Sequence, residues 1–330
     1  MKNTMKYMCM IALVALAVTS CNKTKEEQPR RSTFQATTGY VESEDLDLNK
    51  VYISSDYKIY FEEGDVVMLF NLSKEHPSQS HCATYETVGE GNTVTFQNCF
   101  WGQVAENPLD GGFFAYYSGN FISGDSIEHY VITELSEGEN KCKFFLSPTQ
   151  TYREDMVSRN ALPMVASVKD DNQLADANFT FKRPCGILQL RPFETNPREV
   201  TQIEIVDNSF NLSGWVEMIV DEFDYDEMVS AFNIGDSSWE AWKTKVGYQL
   251  TGPNMGHSVT LNVNPPVQLG TSKPTTPTFN VVLPPLALSG GFHFIFTFSD
   301  GSVTDCDIPA NLITIKPNVL SNANLNLDHY

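Results

Sequence analysis

The stretch Phe292-His-Phe-Ile-Phe-Thr-Phe298 decides the fold class of this chain. Its four phenylalanines stand at alternate positions, so an extended strand places them on one face and His293, Ile295 and Thr297 on the other. This alternation is typical of a strand with one buried face in an antiparallel sheet. We interpret the phenylalanine face as part of a packed core rather than as a surface for a ligand.

Short apolar segments of the same kind recur along the whole chain. They are rich in Val, Ile, Tyr, Phe and Thr, and turn-forming residues bound them. Helical spacing is confined to Asp226–Phe232, with a second turn around Trp239–Trp242. The pattern predicts an all-β protein built from two tandem antiparallel β-sandwich domains. A polar stretch from Lys169 to Asn178 suggests the boundary, which gives an N-terminal domain over 33–177 and a C-terminal domain over 178–330.

The N-terminal residues have the pattern of an export signal. Lys2 and Lys6 precede an apolar run from Met8 to Val18, which is too short to span a bilayer permanently. The run ends in Val18-Thr-Ser-Cys21, which looks like the lipobox of bacterial lipoproteins. We therefore predict a lipoprotein signal peptide over 1–20, acylation of Cys21, and a polar tether over 21–32 that holds the protein on a membrane. An ordinary signal peptide with a chance cysteine is the alternative.

The charge balance excludes one class of partner. The chain carries 22 basic and 41 acidic side chains, which gives a net charge of −19. Such a chain repels nucleic acid and anionic membrane surfaces. We expect no nucleic-acid partner, and we interpret the acidity as a contribution to solubility at a cell surface.

Five cysteines follow Cys21, and no two of them have the spacing of a zinc or redox motif. Cys82 and Cys99 flank a predicted hairpin that turns at Glu90 and Gly91. Folding the hairpin symmetrically about this turn places the two cysteines opposite each other, so a cross-strand disulfide is possible. A reduced, buried pair is the equal alternative.

Motifs for catalysis and for metal binding are missing from the sequence. The six histidines form no HExxH motif, and there is no nucleophile elbow, P-loop or dinucleotide fingerprint. We therefore predict no catalytic residues, no metal site and no cofactor, although a carboxylate pair of a glycosidase stays open. The acidic run Asp221–Glu227 is interpreted as a solvated turn, with a calcium loop as the alternative.

Several short motifs follow the lipobox and extend over nearly the whole mature chain. They are Phe34-Gln-Ala36, Phe61-Glu-Glu-Gly-Asp65 with Val66-Val-Met-Leu-Phe70, Phe113-Phe-Ala-Tyr-Tyr117, Leu146-Ser-Pro-Thr-Gln-Thr-Tyr152, Pro163-Met-Val-Ala166, Phe181-Lys-Arg-Pro-Cys-Gly-Ile-Leu-Gln-Leu190, Leu212-Ser-Gly214, Asp300-Gly301 and Asn324-Leu-Asn-Leu327. Their order resembles the fimbrillin family, the subunits of lipoprotein-derived pili in anaerobic bacteria.

The resemblance implies two transthyretin-like sandwich domains, an outer-membrane lipid anchor and a role as pilus subunit or surface adhesin, with other fimbrillin-type subunits as partners. In the family, a protease removes the first strand and a neighbouring subunit donates a strand into the vacated groove. The chain ends soon after its last predicted strand, and Arg30 and Arg31 precede the first one. We therefore expect a minor component, at a pilus tip, beside its anchor or standing alone. Asp125-Ser126-Ile127 resembles an O-glycosylation motif of such bacteria, with Ser126 as the acceptor.

The second hypothesis for function is a surface lipoprotein that captures polysaccharides. Four tryptophans could stack on sugar rings if they are exposed: Trp101, Trp215, Trp239 and Trp242. The pair Trp239 and Trp242 stands among polar residues and is the best candidate for exposure. A hydrolase on a β-rich scaffold is the third and poorest option.

Overall fold

The computed structural model describes residues 33–38, 42–46, 61–72, 81–104, 106, 112–117, 135–136, 139–154, 157–158, 161, 163–169, 173–286, 291–310 and 312–330. These residues form strands in four sheets and two consecutive α-helices. The strands are β1 (Thr33–Thr38), β2 (Glu42–Leu46), β3 (Val66–Asn71), β4 (His81–Val88), β5 (Thr93–Val104), β6 (Phe113–Tyr117), β7 (Leu135–Ser136), β8 (Glu139–Leu146), β9 (Thr149–Thr151), β10 (Met164–Val168), β11 (Asn178–Phe181), β12 (Gly186–Phe193), β13 (Glu199–Asp207), β14 (Ser213–Ile219), β15 (Gln249–Gly256), β16 (Ser258–Gln268), β17 (Phe279–Leu283), β18 (Phe292–Phe298), β19 (Val303–Ile308) and β20 (Val319–Asn326). The helices are α1 (Tyr225–Ile234) and α2 (Asp236–Val246).

The first sheet has seven strands in the order β10-β6-β3-β4-β5-β1-β11. Its two outermost strands meet, because the backbone N–H groups of Val165 and Lys182 each donate to the carbonyl oxygen of the other at 2.8 Å. The sheet therefore curls around its own interior. We call that interior the N-terminal core, and its larger members are Phe34, Phe61, Val67, Leu69, Tyr85, Phe96, Phe113, Tyr117, Phe179 and Phe181.

Two further sheets form a sandwich around the C-terminal core. One has the order β17-β12-β20-β2 and the other has the order β19-β18-β13-β16-β9. The residues of β18 alternate between buried and half-buried positions as predicted. All four of its phenylalanines are buried and belong to this core. The C-terminal core includes Leu188, Leu190, Ile203, Ile205, Leu261, Phe279, Val281, Phe292, Phe294, Phe296, Phe298 and Leu325.

A third cluster, the central core, fills the space between these layers. It joins the outer face of the first sheet, the second face of β12, β17 and β20, the four-stranded sheet β15-β14-β8-β7, and both helices. Its members include Phe70, Phe114, Tyr116, Phe144, Ile187, Val216, Phe223, Trp239, Trp242 and Val282. Strands β12, β17 and β20 are covered on both faces, and most of their residues are buried.

The prediction of an all-β sandwich-type fold is confirmed, and both predicted helical segments are helices. Most strand pairs among the described residues are antiparallel, and four are parallel, namely β1–β11, β9–β16, β12–β20 and β2–β20. The domain boundary between residues 177 and 178 stays a prediction. Sheets do cross it, because β11 follows the boundary and joins the first sheet, while β8 precedes it and pairs with β14.

Candidate functional site

The candidate site is the position of β1 in the first sheet, which we call the β1 slot. Strand β1 lies between two neighbours, antiparallel to β5 and parallel to β11. Phe34 stands opposite Phe96 on β5, while Ala36 stands opposite Val94 on β5 and Phe179 on β11. Strand β1 therefore forms backbone hydrogen bonds with the strands on both of its edges, β5 and β11. Its removal would leave two facing strands with unpaired backbone groups.

The side chains at the start of β1 alternate between solvent and the N-terminal core. Phe34 and Ala36 are each 1% exposed, whereas Thr33 and Gln35 face solvent. The Phe34 ring lies 5.2 Å from the Phe96 ring, nearly parallel to it, and 4.7 Å from the Phe179 ring (centroid distances). One aromatic side chain of β1 therefore fills the centre of the N-terminal core, and this gives the slot its specificity for register.

A group of hydrogen-bonded polar residues, which we call the polar latch, lies beside Phe61, whose ring centroid is 5.7 Å from that of Tyr117. The Tyr117 hydroxyl donates to Asp65 Oδ1 at 3.1 Å, and the Glu62 N–H donates to Asp65 Oδ2 at 2.7 Å. Burial raises the pKa of the Asp65 carboxyl to about 6, although the bond from Tyr117 acts in the opposite direction. The latch fixes the turn that carries Phe61 into the core. It contains a titratable group but no catalytic arrangement.

Strand β2 follows β1 in the chain but joins a different sheet. It pairs in parallel with β20 at the edge of the sheet β17-β12-β20-β2. The segment from Thr33 to Leu46 therefore contributes one inserted strand and one edge strand. The last strand, β20, has partners on both sides, β12 and β2.

Two predicted sites lie outside the described residues. These are Cys21, the predicted site of lipidation, and Ser126, the predicted acceptor of a sugar. Both stay predictions, as do the signal peptide and the tether. Among the residues that the structure describes, no helix is long and apolar enough to cross a bilayer.

The predicted register of Cys82 and Cys99 is wrong. Val88 pairs with Thr95 rather than with Thr93, and a bulge between Ala83 and Tyr85 shifts the register again, so that Cys82 stands opposite Gln103. In the described part of the chain both cysteines are thiols. Cys82 instead packs in the central core, where burial raises the pKa of its thiol and keeps it protonated.

The predicted exposure of Trp239 and Trp242 is also wrong. They are 4% and 3% exposed, and their rings stack on each other with centroids 4.9 Å apart. Their spacing of three residues places both on one face of α2, and that face packs into the central core. The two tryptophans are therefore core residues and present no surface to a sugar.

The acidic run Asp221–Glu227 leads into α1 and forms its first turn. Asp224 is the N-cap residue and accepts a hydrogen bond from the Glu227 N–H at 3.0 Å. This bond, together with Lys169, holds the pKa of the Asp224 carboxyl below its usual range. Asp226 pairs with Lys182 and Glu227 with Lys245. In the described ranges, no group of three or more His, Cys, Asp or Glu side chains is arranged to hold a metal ion.

Sequence reasoning missed the roles of two buried polar side chains. Gln150 is 1% exposed, and its side-chain amide forms hydrogen bonds with both backbone groups of Val282. It donates to the carbonyl at 2.8 Å and accepts from the N–H at 3.0 Å. Arg183 is 1% exposed, and burial lowers the pKa of its guanidinium to about 10. Both residues belong to motifs quoted above for the family resemblance, and that membership was the available signal.

Comparison with known proteins gives structural neighbours only. No family model matches the sequence, and no curated protein is detectably similar to it. The fold is similar to a candidate cell adhesion protein from Bacteroides uniformis, at 14% identity and a TM-score of 0.48, over 90% of this chain and 93% of the other. A candidate cell adhesion protein from Bacteroides ovatus gives 10% identity and a TM-score of 0.47, with the same coverage of 90% and 93%.

The tip fimbrial protein Mfa3 from Porphyromonas gingivalis gives 11% identity and a TM-score of 0.28, over 84% of this chain and 82% of the other. The neighbours are thus adhesion and fimbrial proteins. With identities of 14% or less and TM-scores below 0.5, these similarities transfer no function to the chain.

Proposed function

We propose that this chain is a fimbrillin-like surface lipoprotein that acts in cell adhesion as a minor pilus component. The observation that carries the proposal is the β1 slot. A strand from the N-terminal end of the described chain is inserted between β5 and β11, with Phe34 in the core. A strand from a neighbouring subunit could satisfy the same hydrogen bonds and fill the same cavity.

The sequence around β1 is compatible with removal of this strand. The residues from 32 to 49 contain no lysine or arginine, so trypsin-like cuts after Arg31 and Lys50 would bracket β1 and β2 in one peptide. A cut after Arg31 alone would free the chain from its predicted anchor at Cys21 and leave β1 in place. Processing at the second position would open the slot.

The position of β20 supports a minor role. It already pairs with β12 and with β2, and six of its eight residues are buried. This strand is committed to its own sheet and is not free for donation to a neighbour. We infer a subunit that accepts a strand, at a pilus tip or beside the anchor, or one that keeps its own β1 and stands alone. Lipidation of Cys21 would hold it on the outer membrane.

The proposal is tested by strand exchange. In the full mature chain with Cys21→Ser, a specific protease site replaces residues 39–41, and the purified protein is nicked there. A fluorescent peptide with the β1 sequence, residues 32–39, is then added and its uptake is measured by anisotropy. We expect the nicked protein to take up the peptide and the intact protein to exclude it.

The matched control is the same peptide with Phe34→Asp, which cannot enter an apolar core and should not be taken up. Failure of the nicked protein to take up the unmodified peptide would overturn strand exchange at this slot.

A further inference from the structure

The outer face of the sheet β15-β14-β8 carries a half-buried aromatic pair. Trp215 on β14 stands opposite Phe145 on β8, with ring centroids 5.1 Å apart and an angle of 45° between the ring planes. The residues that follow and precede them, Val216 and Phe144, point to the other face and pack in the central core. Trp215 and Phe145 therefore do not contribute to that core, and part of their surface stays accessible.

The indole of Trp215 also contacts the neighbouring strand β15. Gly252 has φ = 96°, and a Cβ atom added to it would lie 2.9 Å from Trp215 Cδ1. The backbone of β15 thus packs directly against the indole, and the absence of a side chain at position 252 permits this close approach. The ring is fixed before any ligand arrives, so little rotamer entropy would be lost on binding.

A polar row lies next to the aromatic row on the same face. Glu217 stands opposite Lys143 on β8 and Gln249 on β15. Lys143 Nζ lies 3.5 Å from Glu217 Oε2, and the two side chains are 20% and 21% exposed. The two charges compensate each other while they keep hydrogen-bonding capacity, and Gln249 adds an exposed amide. Rows two residues apart along a strand are separated by about 7 Å.

This arrangement fits a neutral sugar. A pyranose ring has one apolar C–H face, which stacks on an indole or phenyl ring, and hydroxyl groups at its rim that bond carboxylate, ammonium and amide groups. An anionic ligand is disfavoured, because the local charges cancel and the chain as a whole carries −19. Addition of a strand from a second copy at β15 is disfavoured too, since a bulge between Ser213 and Trp215 distorts the ladder and Pro253 has no N–H to donate.

We propose that Phe145, Trp215, Lys143, Glu217 and Gln249 form a binding site for a pyranose unit of a neutral glycan, with Trp215 as the stacking residue. This inference rests on the adhesive function proposed above, because it names a neutral glycan as the ligand of that adhesion. It uses no residue of the β1 slot. It also moves the carbohydrate hypothesis from the buried pair Trp239 and Trp242 to a tryptophan on an outer face.

The test is affinity electrophoresis of the full mature chain with Cys21→Ser, in native gels that contain a soluble neutral β-glucan, α-mannan or galactan. We expect at least one of these polysaccharides to retard the protein, and polygalacturonate, an anionic counterpart, to leave it unretarded. Trp215→Ala should weaken the retardation at least about tenfold in apparent affinity. Gln249→Ala, at an exposed position, should weaken it by a smaller factor and serves if the tryptophan variant fails to fold.

The matched control is Val303→Ala, because Val303 is 58% exposed on a different sheet and should leave binding unchanged. No retardation by any of the three neutral polysaccharides, or full retardation of folded Trp215→Ala protein, would overturn the site. Peptide uptake at the β1 slot is measured separately. A protein that takes up the β1 peptide but ignores glycans refutes this inference alone, and the reverse outcome refutes only strand exchange.

Discussion

The sheets around the N-terminal core and the C-terminal core differ in how their strand edges are covered. Around the N-terminal core, closure depends on β1, a strand from the N-terminal end of the described chain that separates β5 from β11. In the C-terminal sandwich, the edge strand β17 is closed by a side chain, because Gln150 bonds the N–H and the carbonyl of Val282. The sheet around the N-terminal core can therefore be opened by withdrawing a single strand, whereas the β17 edge of the C-terminal sandwich is closed by a side chain of the same sandwich.

The difference suggests that the two sheets have different roles. A sheet that must accept a strand from outside needs an internal position that can be vacated, with aromatic pockets that read the register of the incoming strand. A sheet that must not associate with other chains needs its edges blocked. Gln150 blocks β17 with the hydrogen bonds that a neighbouring strand would make. Unlike a strand, a side chain does not expose a new row of backbone groups to which another chain could pair.

The largest effect is expected from Phe34→Ala in β1. The substitution empties the centre of the N-terminal core and should lower the free energy of unfolding by about 3–5 kcal/mol. We expect faster hydrogen exchange in β5 and β11, the two strands that flank β1. The free energy is measured by urea unfolding, and local exchange by mass spectrometry of the full mature chain.

The matched control for this comparison is Phe294→Ala in β18, at a position that is 0% exposed in the C-terminal core. It should cost a similar free energy, but its exchange effect should fall on β13 and β19. If Phe34→Ala accelerated exchange equally in the strands of both cores, the contrast between an openable and a closed sheet would be wrong.

A smaller effect is expected from Gln150→Leu. The apolar side chain leaves the N–H and the carbonyl of Val282 without their partner, and the loss should be about 2–4 kcal/mol in the free energy of unfolding. With β17 unblocked, we also expect concentration-dependent association, measured by size-exclusion chromatography with light scattering.

Gln150→Glu separates the two bonds, because the carboxylate still accepts from the Val282 N–H but cannot donate to its carbonyl. It should be less stable than the wild type and should stay monomeric, since part of the edge remains blocked. A monomeric Gln150→Leu protein with wild-type stability would show that the side chain does not close this edge.

The sequence predicted those parts of the fold that depend on local periodicity. The alternating phenylalanines of β18 and the helical spacing in α1 and α2 follow from neighbours a few residues apart, and the structure confirms them. The order of short motifs pointed to Gln150 and Arg183 but not to their roles. Gln150 takes the place of a neighbouring strand beside β17, and this can be recognised only when the positions of the two sheets are known.

The failed predictions concern contacts between distant segments. Polar neighbours suggested that Trp239 and Trp242 are exposed, yet their spacing of three residues already placed them on one helix face. The register of Cys82 depends on a bulge at Ala83–Tyr85, which alternation alone cannot reveal. The parallel pairing of β1 with β11 joins segments about 140 residues apart, so no local pattern could predict the slot.

The smallest effects are expected from pH, and they have opposite signs in the two parts of the molecule. The pKa of Asp65, in the polar latch, is raised from 3.8 to about 6 by burial. The folded state therefore binds this proton more tightly than the unfolded chain does. Its contribution to stability is present below the unfolded pKa and is lost as the pH rises through about 6. Asp65→Asn should remove this loss, so stability should fall less between about pH 4 and about pH 7.

Asp224, the N-cap of α1, provides the matched control because its pKa is lowered by the hydrogen bond from Glu227 N–H. Its contribution is present above the unfolded pKa and is lost as the pH falls through the folded value. Asp224→Asn keeps the cap, since asparagine caps helices as well as aspartate does, but it removes the charge that titrates. Stability should then decline less on acidification. Urea unfolding of both variants between about pH 2 and about pH 7 measures the two slopes, that of Asp224 below about pH 4 and that of Asp65 above it. Slopes of the same sign would show that the Asp65 carboxyl is ionised in the folded state well below pH 6.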